Sequence, residues 1–270
     1  MVDFKKKIFF GLKACADWPL FCTKARFLNE KNRHMTLAFL GMQPYNELDF
    51  FLKSIPTPPL VGFSAVAEEI LFLPFNKPAT ASYSLRFLAG ENRLLDYQKK
   101  LSSYLIQKDL ISHIDQKRSF LPHVTFARQP FDKINLKFEF TSFIITLSTL
   151  HLYESLGGLS YSPLITKEVE KPFEEIDHTA DIAYLIKGES LEEIALNAKA
   201  ALMSRELNIE PFFNYSKKDF SSIESIVLWL NEAIREQDKN EGSPFKAVSH
   251  HGKIKIDNKN IFTWEMIVDV

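Results

Sequence analysis

The chain has 270 residues, of which 46% are hydrophobic and 25% are charged, as in an ordinary globular protein. No apolar run approaches the roughly 18 residues of a membrane span, and the apolar stretch after Lys7 is too short for a secretion signal. The net charge of −1 combines residues 1–168 at +6 with residues 169–270 at −7, which suits a polyanionic ligand in the first part and a cation or basic partner in the second.

The length suggests two domains. The two cysteines, Cys15 and Cys22, lack the spacing of a metal site. We therefore expect free thiols in a reducing compartment, and hence a cytoplasmic protein with no membrane association.

Residues 1–168 alternate between strand and helix patterns. Strands are predicted at 8–14, 34–41, 63–73, 82–87 and 123–128, helices at 17–31, 45–55 and 92–108, and a β-rich stretch at 136–153. The order strand, helix, strand occurs twice. It predicts an α+β fold in which a pseudo-duplicated unit of two lobes encloses a cleft.

Two of the predicted strands carry the same His-x-Thr pattern. The first is His34-Met-Thr-Leu-Ala-Phe-Leu-Gly and the second is His123-Val-Thr-Phe-Ala-Arg. Residues two apart on a strand share a face, so His34 lies beside Thr36 and His123 beside Thr125. If the strands are neighbours, two imidazoles and two hydroxyls surround one cleft.

These groups suit the opening of a phosphodiester ring. Such a reaction removes a proton from the nucleophile and delivers one to the leaving oxygen, and imidazole does both near neutrality. The hydroxyls of Thr36 and Thr125 can donate to the non-bridging phosphate oxygens. No metal or other cofactor is required. Arg128, at the end of the second strand, is a possible RNA contact or a solvated charge.

In these motifs, and over about residues 5–168, the sequence resembles the two-histidine (2H) phosphoesterases, specifically the LigT/ThpR-like RNA 2′,3′-cyclic phosphodiesterases. The second motif differs from the family pattern by Phe126 in place of leucine. The resemblance implies hydrolysis of RNA 2′,3′-cyclic phosphate ends to 2′-phosphates. It also implies His123 as the base and His34 as the acid.

A polar segment, 165–172, is predicted to link this part to a smaller α+β domain at 169–270. An extended run at 173–184 carries Asp177 and Asp181. Capping boxes at Ser190 to Glu193 and Ser221 to Glu224 predict two helices with apolar stripes. Strands are predicted at 246–252, 253–256 and 262–270.

This part resembles the archeases in its Asp-His-Thr-Ala-Asp opening, its Ser-Leu-Glu-Glu helix, its Lys-Ala-Val strand and its final Val-Asp-Val. The resemblance implies a calcium-like divalent cation held by Asp181, Asp269 and Val270, with Asp177 as a second-tier ligand. It implies a role for Lys246 in ligase activation. The region between the second helix and the Lys-Ala-Val strand is shorter than in archeases.

Together, the two resemblances predict a fusion that acts on RNA with 2′,3′-cyclic phosphate ends, such as tRNA fragments, and that activates an RtcB-type RNA ligase in tRNA splicing or RNA repair. Two alternatives remain open for the first part. It could be a non-catalytic module that delivers RNA ends to a ligase, or a weak 2′-5′ RNA ligase. Turnover of a 2′,3′-cyclic nucleotide distinguishes the alternatives.

Overall fold

The computed structural model describes residues 5–44, 48, 54–111, 120–178, 181–206, 208, 220–249 and 252–270. The strands of the first half are β1 (Lys5–Cys15), β2 (Ala25–Phe27), β3 (His34–Pro44), β4 (Phe63–Leu73), β5 (Thr80–Phe87), β6 (His123–Phe131), β7 (Phe143–Gly157) and β8 (Ser160–Lys167). Its helices are α1 (Glu91–Gln107) and α2 (Lys133–Glu139).

The strands of the first half form one sheet in the order β1-β3-β6-β5-β4-β7-β8, and β2 pairs with β6. Strand β1 pairs with β3 on one side and with β7 on the other, so the sheet closes on itself. All of these pairings are antiparallel. The predicted mixture of helices and strands is observed, but the strands form one continuous sheet and are not divided between two lobes.

The helix predicted at 17–31 is wrong. Residues 16–24 have no regular structure, β2 follows them, and a short 3₁₀ turn covers Glu30–Asn32. Aromatic contacts explain the difference, because Trp18 stacks on Tyr83 and Phe21 stacks on Phe126. Covering the sheet in this way overrides the local helix signal.

The predicted β-rich stretch at 136–153 and the predicted helix at 45–55 have different outcomes. The β-rich stretch does not begin at 136, because Asp132 caps α2 there by accepting hydrogen bonds from the backbone N–H groups of Ile134 and Asn135. Most of the helix predicted at 45–55 lies outside the described residues. Strand β4 and helix α1 are within two residues of their predicted bounds.

The second half has its own five-stranded sheet in the order β11-β13-β10-β9, with β12 paired to β13. Its elements are β9 (Phe173–Ile176), β10 (Ile182–Gly188), α3 (Leu191–Met203), α4 (Ile223–Glu241), β11 (Ala247–Val248), β12 (Lys255–Ile256) and β13 (Phe262–Asp269). Ser190 caps α3 as predicted. The capping box of α4 is formed by Ser222 and Ser225, so the predicted cap at Ser221 is wrong by one residue.

The two halves share an interface. The guanidinium of Arg93 on α1 binds Glu189 at 2.7 Å and Glu193 at 2.9 Å, and the hydroxyl of buried Ser64 donates to Asn197 at 2.7 Å. The second hydrophobic core includes three residues of the first half, Val66, Leu88 and Ile144. The boundary at 168/169 therefore stays a prediction. In the described residues, no helix has the length and apolarity needed to cross a bilayer.

Gly62 lies where the chain enters β4, and it gives a sharp test of this packing. A Cβ built there lies 2.0 Å from the carbonyl oxygen of Leu147 and 3.1 Å from that of Glu170. Because both neighbours are backbone atoms, Gly62→Ala is expected to lower the free energy of unfolding by about 3 kcal/mol.

Urea denaturation should compare Gly62→Ala with Gly157→Ala. Gly157 has a φ of +80°, and no heavy atom lies within 4 Å of an added Cβ. Gly157→Ala is therefore expected to lower the free energy of unfolding only through backbone strain, by about 1–2 kcal/mol. Equal stability of the Gly62→Ala variant and the unsubstituted protein would contradict the packing of β4 against β7.

Candidate functional site

The two His-x-Thr segments are neighbours in the sheet. Strands β3 and β6 are antiparallel, and Met35 pairs with Val124. Both side chains are fully buried in the core, so the alternating residues on either side point to the opposite face. This register sets His34 beside Thr125 and brings His123 to the same face.

The two imidazoles are anchored in the same way. Nδ1 of His34 lies 2.7 Å from the carbonyl oxygen of Asn32, and Nδ1 of His123 lies 2.7 Å from that of Leu121. A carbonyl oxygen only accepts, so each neutral ring carries its proton on Nδ1. Each Nε2 is therefore left as the nitrogen that can exchange a proton with a ligand.

His34 is held in an aromatic pocket and is 8% exposed. Its ring centroid lies 4.7 Å from that of Phe9, 5.1 Å from that of Tyr153 and 4.9 Å from that of Tyr161, which meets it edge-on. Gly11 lies beside the ring, and a Cβ there would lie 3.5 Å from both His34 and Tyr153, which is ordinary contact. These contacts fix the orientation of the imidazole.

Burial lowers the pKa of His34 to about 4. Loss of hydration is the main cause, because a charged ring is poorly solvated in an apolar pocket. The charges of His123 and Arg128 lower the pKa further, whereas the hydrogen bond to Asn32 raises it. The two imidazoles therefore interact electrostatically, as groups that face one cleft do.

The cleft contains hydroxyl groups as well as imidazoles. The hydroxyls of Thr125 and Ser82 lie 3.0 Å apart, and Ser84 is the cross-strand partner of His123. Neither serine was predicted from the sequence. The only sequence signal for them is the alternation within β5, which does not reveal that this strand lies beside β6. Thr36 is partly exposed on β3, next to His34.

A β-bulge brings Arg128 to the same face as the histidines. Simple alternation along β6 would put Thr125 and Arg128 on opposite faces, since they are three residues apart. The register slips between Ala81 and Ser82 of β5, so that Thr80 pairs with Arg128 and Ser82 pairs with Thr125. Thr80 and Ser82 share a face, and Arg128 therefore shares the face of Thr125.

The acids of the second half meet at one end of its sheet. Ile182 on β10 pairs with Val268 on β13, so Asp181 and Asp269 lie side by side at that end of the strand pair. Lys246 is close to both strand ends: its backbone N–H donates to the Asp269 carbonyl at 2.8 Å, and its Nζ donates to the Val270 carbonyl at 2.6 Å.

Carboxylate and carbonyl oxygens suit a hard cation. Asp181 and Asp269 fit that chemistry, whereas the Val270 carbonyl is already bound to an ammonium group. Asp177 is exposed beyond the end of β9. Within the described part of the chain, no group of three or more His, Cys, Asp or Glu side chains is arranged to hold a metal. The structure therefore places two of the predicted carboxylates together, but not a full set of ligands.

No protein-family model matches this sequence, and no curated protein sequence matches it. Part of the chain is similar to several solved structures. A structure described as a phosphoesterase matches at 17% identity with a TM-score of 0.44, covering 62% of this chain and 99% of the other. E. coli LigT complexed with 3′-AMP matches at 17% identity with a TM-score of 0.42, covering 62% of this chain and 99% of the other. TT0787 of Thermus thermophilus matches at 16% identity with a TM-score of 0.43, covering 60% of this chain and 97% of the other.

Proposed function

We propose that the first half of the chain is a phosphodiesterase that hydrolyses RNA 2′,3′-cyclic phosphate ends to 2′-phosphates. The observation that supports this most strongly is the matched pair of imidazoles, on neighbouring strands, each anchored through Nδ1 to the carbonyl two residues earlier. Such a pair leaves two Nε2 atoms on one face, which is what concerted acid and base catalysis needs.

In this proposal, one imidazole removes a proton from water as its oxygen attacks the phosphorus. The bond between phosphorus and one ribose oxygen breaks, and the other imidazole, in its protonated form, gives a proton to that oxygen. The hydroxyls of Thr36 and Thr125 donate hydrogen bonds to the non-bridging oxygens as negative charge builds there. Protein groups supply every proton transfer in this scheme.

The state of His34 bears on which ring is the base. With a pKa of about 4, fewer than about one His34 ring in a thousand is protonated at pH 7. A neutral ring with a free Nε2 is suited to accept a proton. We therefore propose His34 as the base and His123 as the acid, the reverse of the order that the family resemblance implies.

The direct test is incubation of the pure protein with adenosine 2′,3′-cyclic phosphate and identification of the product by ³¹P NMR. Adenosine 2′-phosphate is the expected product. Absence of turnover would contradict the proposal and favour the module that only binds RNA ends. Joining of RNA ends without net hydrolysis would favour the 2′-5′ ligase.

For the second half, we propose a divalent-cation site at Asp181 and Asp269 that serves activation of an RtcB-type RNA ligase, with Lys246 in contact with the ligase. The observation in favour is the register that sets the two carboxylates side by side, together with the closeness of Lys246 to β13. The two halves would then act on the same RNA termini, since such ligases consume cyclic phosphate ends.

Calcium is expected to stabilise the protein through this site. At a calcium concentration about 100-fold above Kd, the free energy of unfolding should rise by about 2–3 kcal/mol, visible as a higher Tm. Asp181→Asn and Asp269→Asn should abolish the rise, because each removes a carboxylate ligand. Asp238→Asn, an equal charge change on the exposed side of α4, should keep it.

An unchanged Tm in the presence of calcium would contradict the cation site. The ligase role needs a separate measurement, which is the turnover of a purified RtcB-type ligase with and without this protein. The expected result is faster turnover with the unsubstituted protein than with Lys246→Ala. Equal turnover in all three reactions would reject the activator role.

A further inference from the structure

A furrow of about 860 Å³ opens beside β2 and the far end of β6. Its walls combine apolar groups, among them Phe131 and Ile134, with the cations Lys24, Arg26 and Lys133. We call these lining residues and the adjoining Arg128 the basic furrow. No part of the cyclic phosphate chemistry described above uses its lysines.

Two arginines lie directly across from each other where the basic furrow meets the cleft. Arg26 on β2 and Arg128 on β6 are cross-strand partners, so their side chains leave the sheet on the same face. Like charges in this position destabilise a sheet. An anion bound between the two guanidinium groups would remove that repulsion.

The cations of the basic furrow have no acidic partner among the residues that the structure describes. In the described residues, no carboxylate lies within 4.0 Å of the cationic nitrogens of Lys24, Arg26, Arg128 or Lys133. The two nearby acids are engaged elsewhere. Asp132 caps α2, and the carboxylate of Glu139 accepts hydrogen bonds from the backbone N–H and hydroxyl of Thr23. The positive charge therefore remains available to a ligand.

Apolar side chains stand exposed next to these cations. Ile134 is 80% exposed and Phe138 is 88% exposed, one turn apart on the same side of α2. The ammonium of Lys133 lies 5.6 Å above the ring of Phe72, and Phe72 contacts Phe131. Cations interleaved with exposed aromatic and aliphatic surface are typical of sites for single-stranded nucleic acid, in which phosphates meet cations and bases stack.

The basic furrow lies farther along β6 than the two histidines, on the strand that carries His123. Arg128 is five positions after His123 on the strand, a distance of about 16 Å, and Phe131 is about 10 Å farther along the strand. The bulge in β6 keeps Arg128 on the cleft face. A molecule with its terminal phosphate between the histidines must therefore be longer than one nucleotide to reach the furrow.

We propose that the basic furrow binds the RNA strand that carries the terminal phosphate, so that the preferred substrate is an oligonucleotide and not a mononucleotide. This inference rests on the proposed phosphodiesterase function. Arg26 and Arg128 contact a backbone phosphate, Lys24 and Lys133 contact the next, and the apolar wall receives the bases. A bound RNA strand would contact both the furrow and the two histidines, whereas a protein partner would have no need to reach the histidines.

The test compares kcat/KM for adenosine 2′,3′-cyclic phosphate with kcat/KM for an oligonucleotide of about eight residues ending in the same group. The oligonucleotide should be preferred, and raising the salt from about 50 to 200 mM should reduce the preference about tenfold, as expected for two phosphate contacts. In Arg26→Ala/Lys133→Ala, the ratio of the two kcat/KM values should fall about tenfold and lose most of its salt dependence.

The matched control is Lys99→Ala/Lys100→Ala, which removes two exposed positive charges from α1 and should leave the ratio unchanged. Equal kcat/KM for both substrates, or equal ratios in the two double variants, would overturn the role of the furrow while the phosphodiesterase stands.

Absence of turnover on both substrates would instead overturn the proposed function. Fluorescence anisotropy with the same oligonucleotide, ending in a plain hydroxyl, then tests the furrow independently. Weaker binding by Arg26→Ala/Lys133→Ala than by the control supports the furrow, and equal binding overturns it.

Discussion

Replacing either His34 or His123 by alanine is expected to lower kcat/KM for adenosine 2′,3′-cyclic phosphate by about 10²–10⁴-fold. In the proposed mechanism each ring carries one of the two proton transfers. The Nδ1 atom of each ring is bound to a carbonyl oxygen, so each ring has only its Nε2 for that role. The measurement is the initial rate of product formation at subsaturating substrate. Circular dichroism should show that both variants are folded.

His151 provides the matched control. It lies on β7, outside both His-x-Thr segments, and its Nδ1 lies 3.0 Å from the hydroxyl of Thr166. His151→Ala should therefore keep kcat/KM within about twofold of the unsubstituted protein. Activity in His123→Ala equal to that in His151→Ala would show that His123 takes no part in the reaction.

The pH profile is expected to reveal which ring is the base. If His34 accepts the proton, kcat/KM decreases about tenfold per pH unit as the pH falls below a pKa of about 4. The pKa of His34 in the ligand-free protein is the relevant value, because the pH dependence of kcat/KM reports ionisable groups of the free enzyme. If His34 were the acid, kcat/KM would instead decrease as the pH rises above about 4.

The same pKa shift affects stability. The folded protein holds His34 neutral down to pH about 4, whereas the unfolded chain protonates this ring near its ordinary pKa of 6.5. The unfolded state therefore binds more protons in this range. The contribution of His34 to the free energy of unfolding is fully present above pH 6.5, and it is lost as the pH falls toward 4. Thermal unfolding of the His34→Gln variant should lack this component.

The placement of the two histidines on one face of the sheet could be predicted from the sequence because most of its determinants are local. Alternation along a strand fixes the shared face of His34 and Thr36, and the same holds for His123 and Thr125. The neighbouring positions of β3 and β6 depend on contacts far apart in sequence. The repeated motif was the reason to expect them, and the pairing of Met35 with Val124 supplies the geometry.

Features that depend on non-local structure were not accessible in this way. The face of Arg128 depends on a bulge in β6, which the sequence does not indicate. The segment at 17–31 carries a helix-start signal at Asp17, but its aromatic residues cover the sheet instead. Buried Arg33, whose guanidinium lies 4.4 Å from the ring centroid of Trp18, shows how closely this irregular segment packs.

The proposed mechanism requires that the two imidazoles act on one phosphorus atom. The most direct test is kcat/KM of the double variant His34→Ala/His123→Ala beside the two single variants. Groups that act as one catalytic unit are strongly non-additive, so the double variant should be about as slow as the slower single variant. A double variant slowed by the product of the two single effects would show that the rings act independently, and would contradict the two-histidine mechanism.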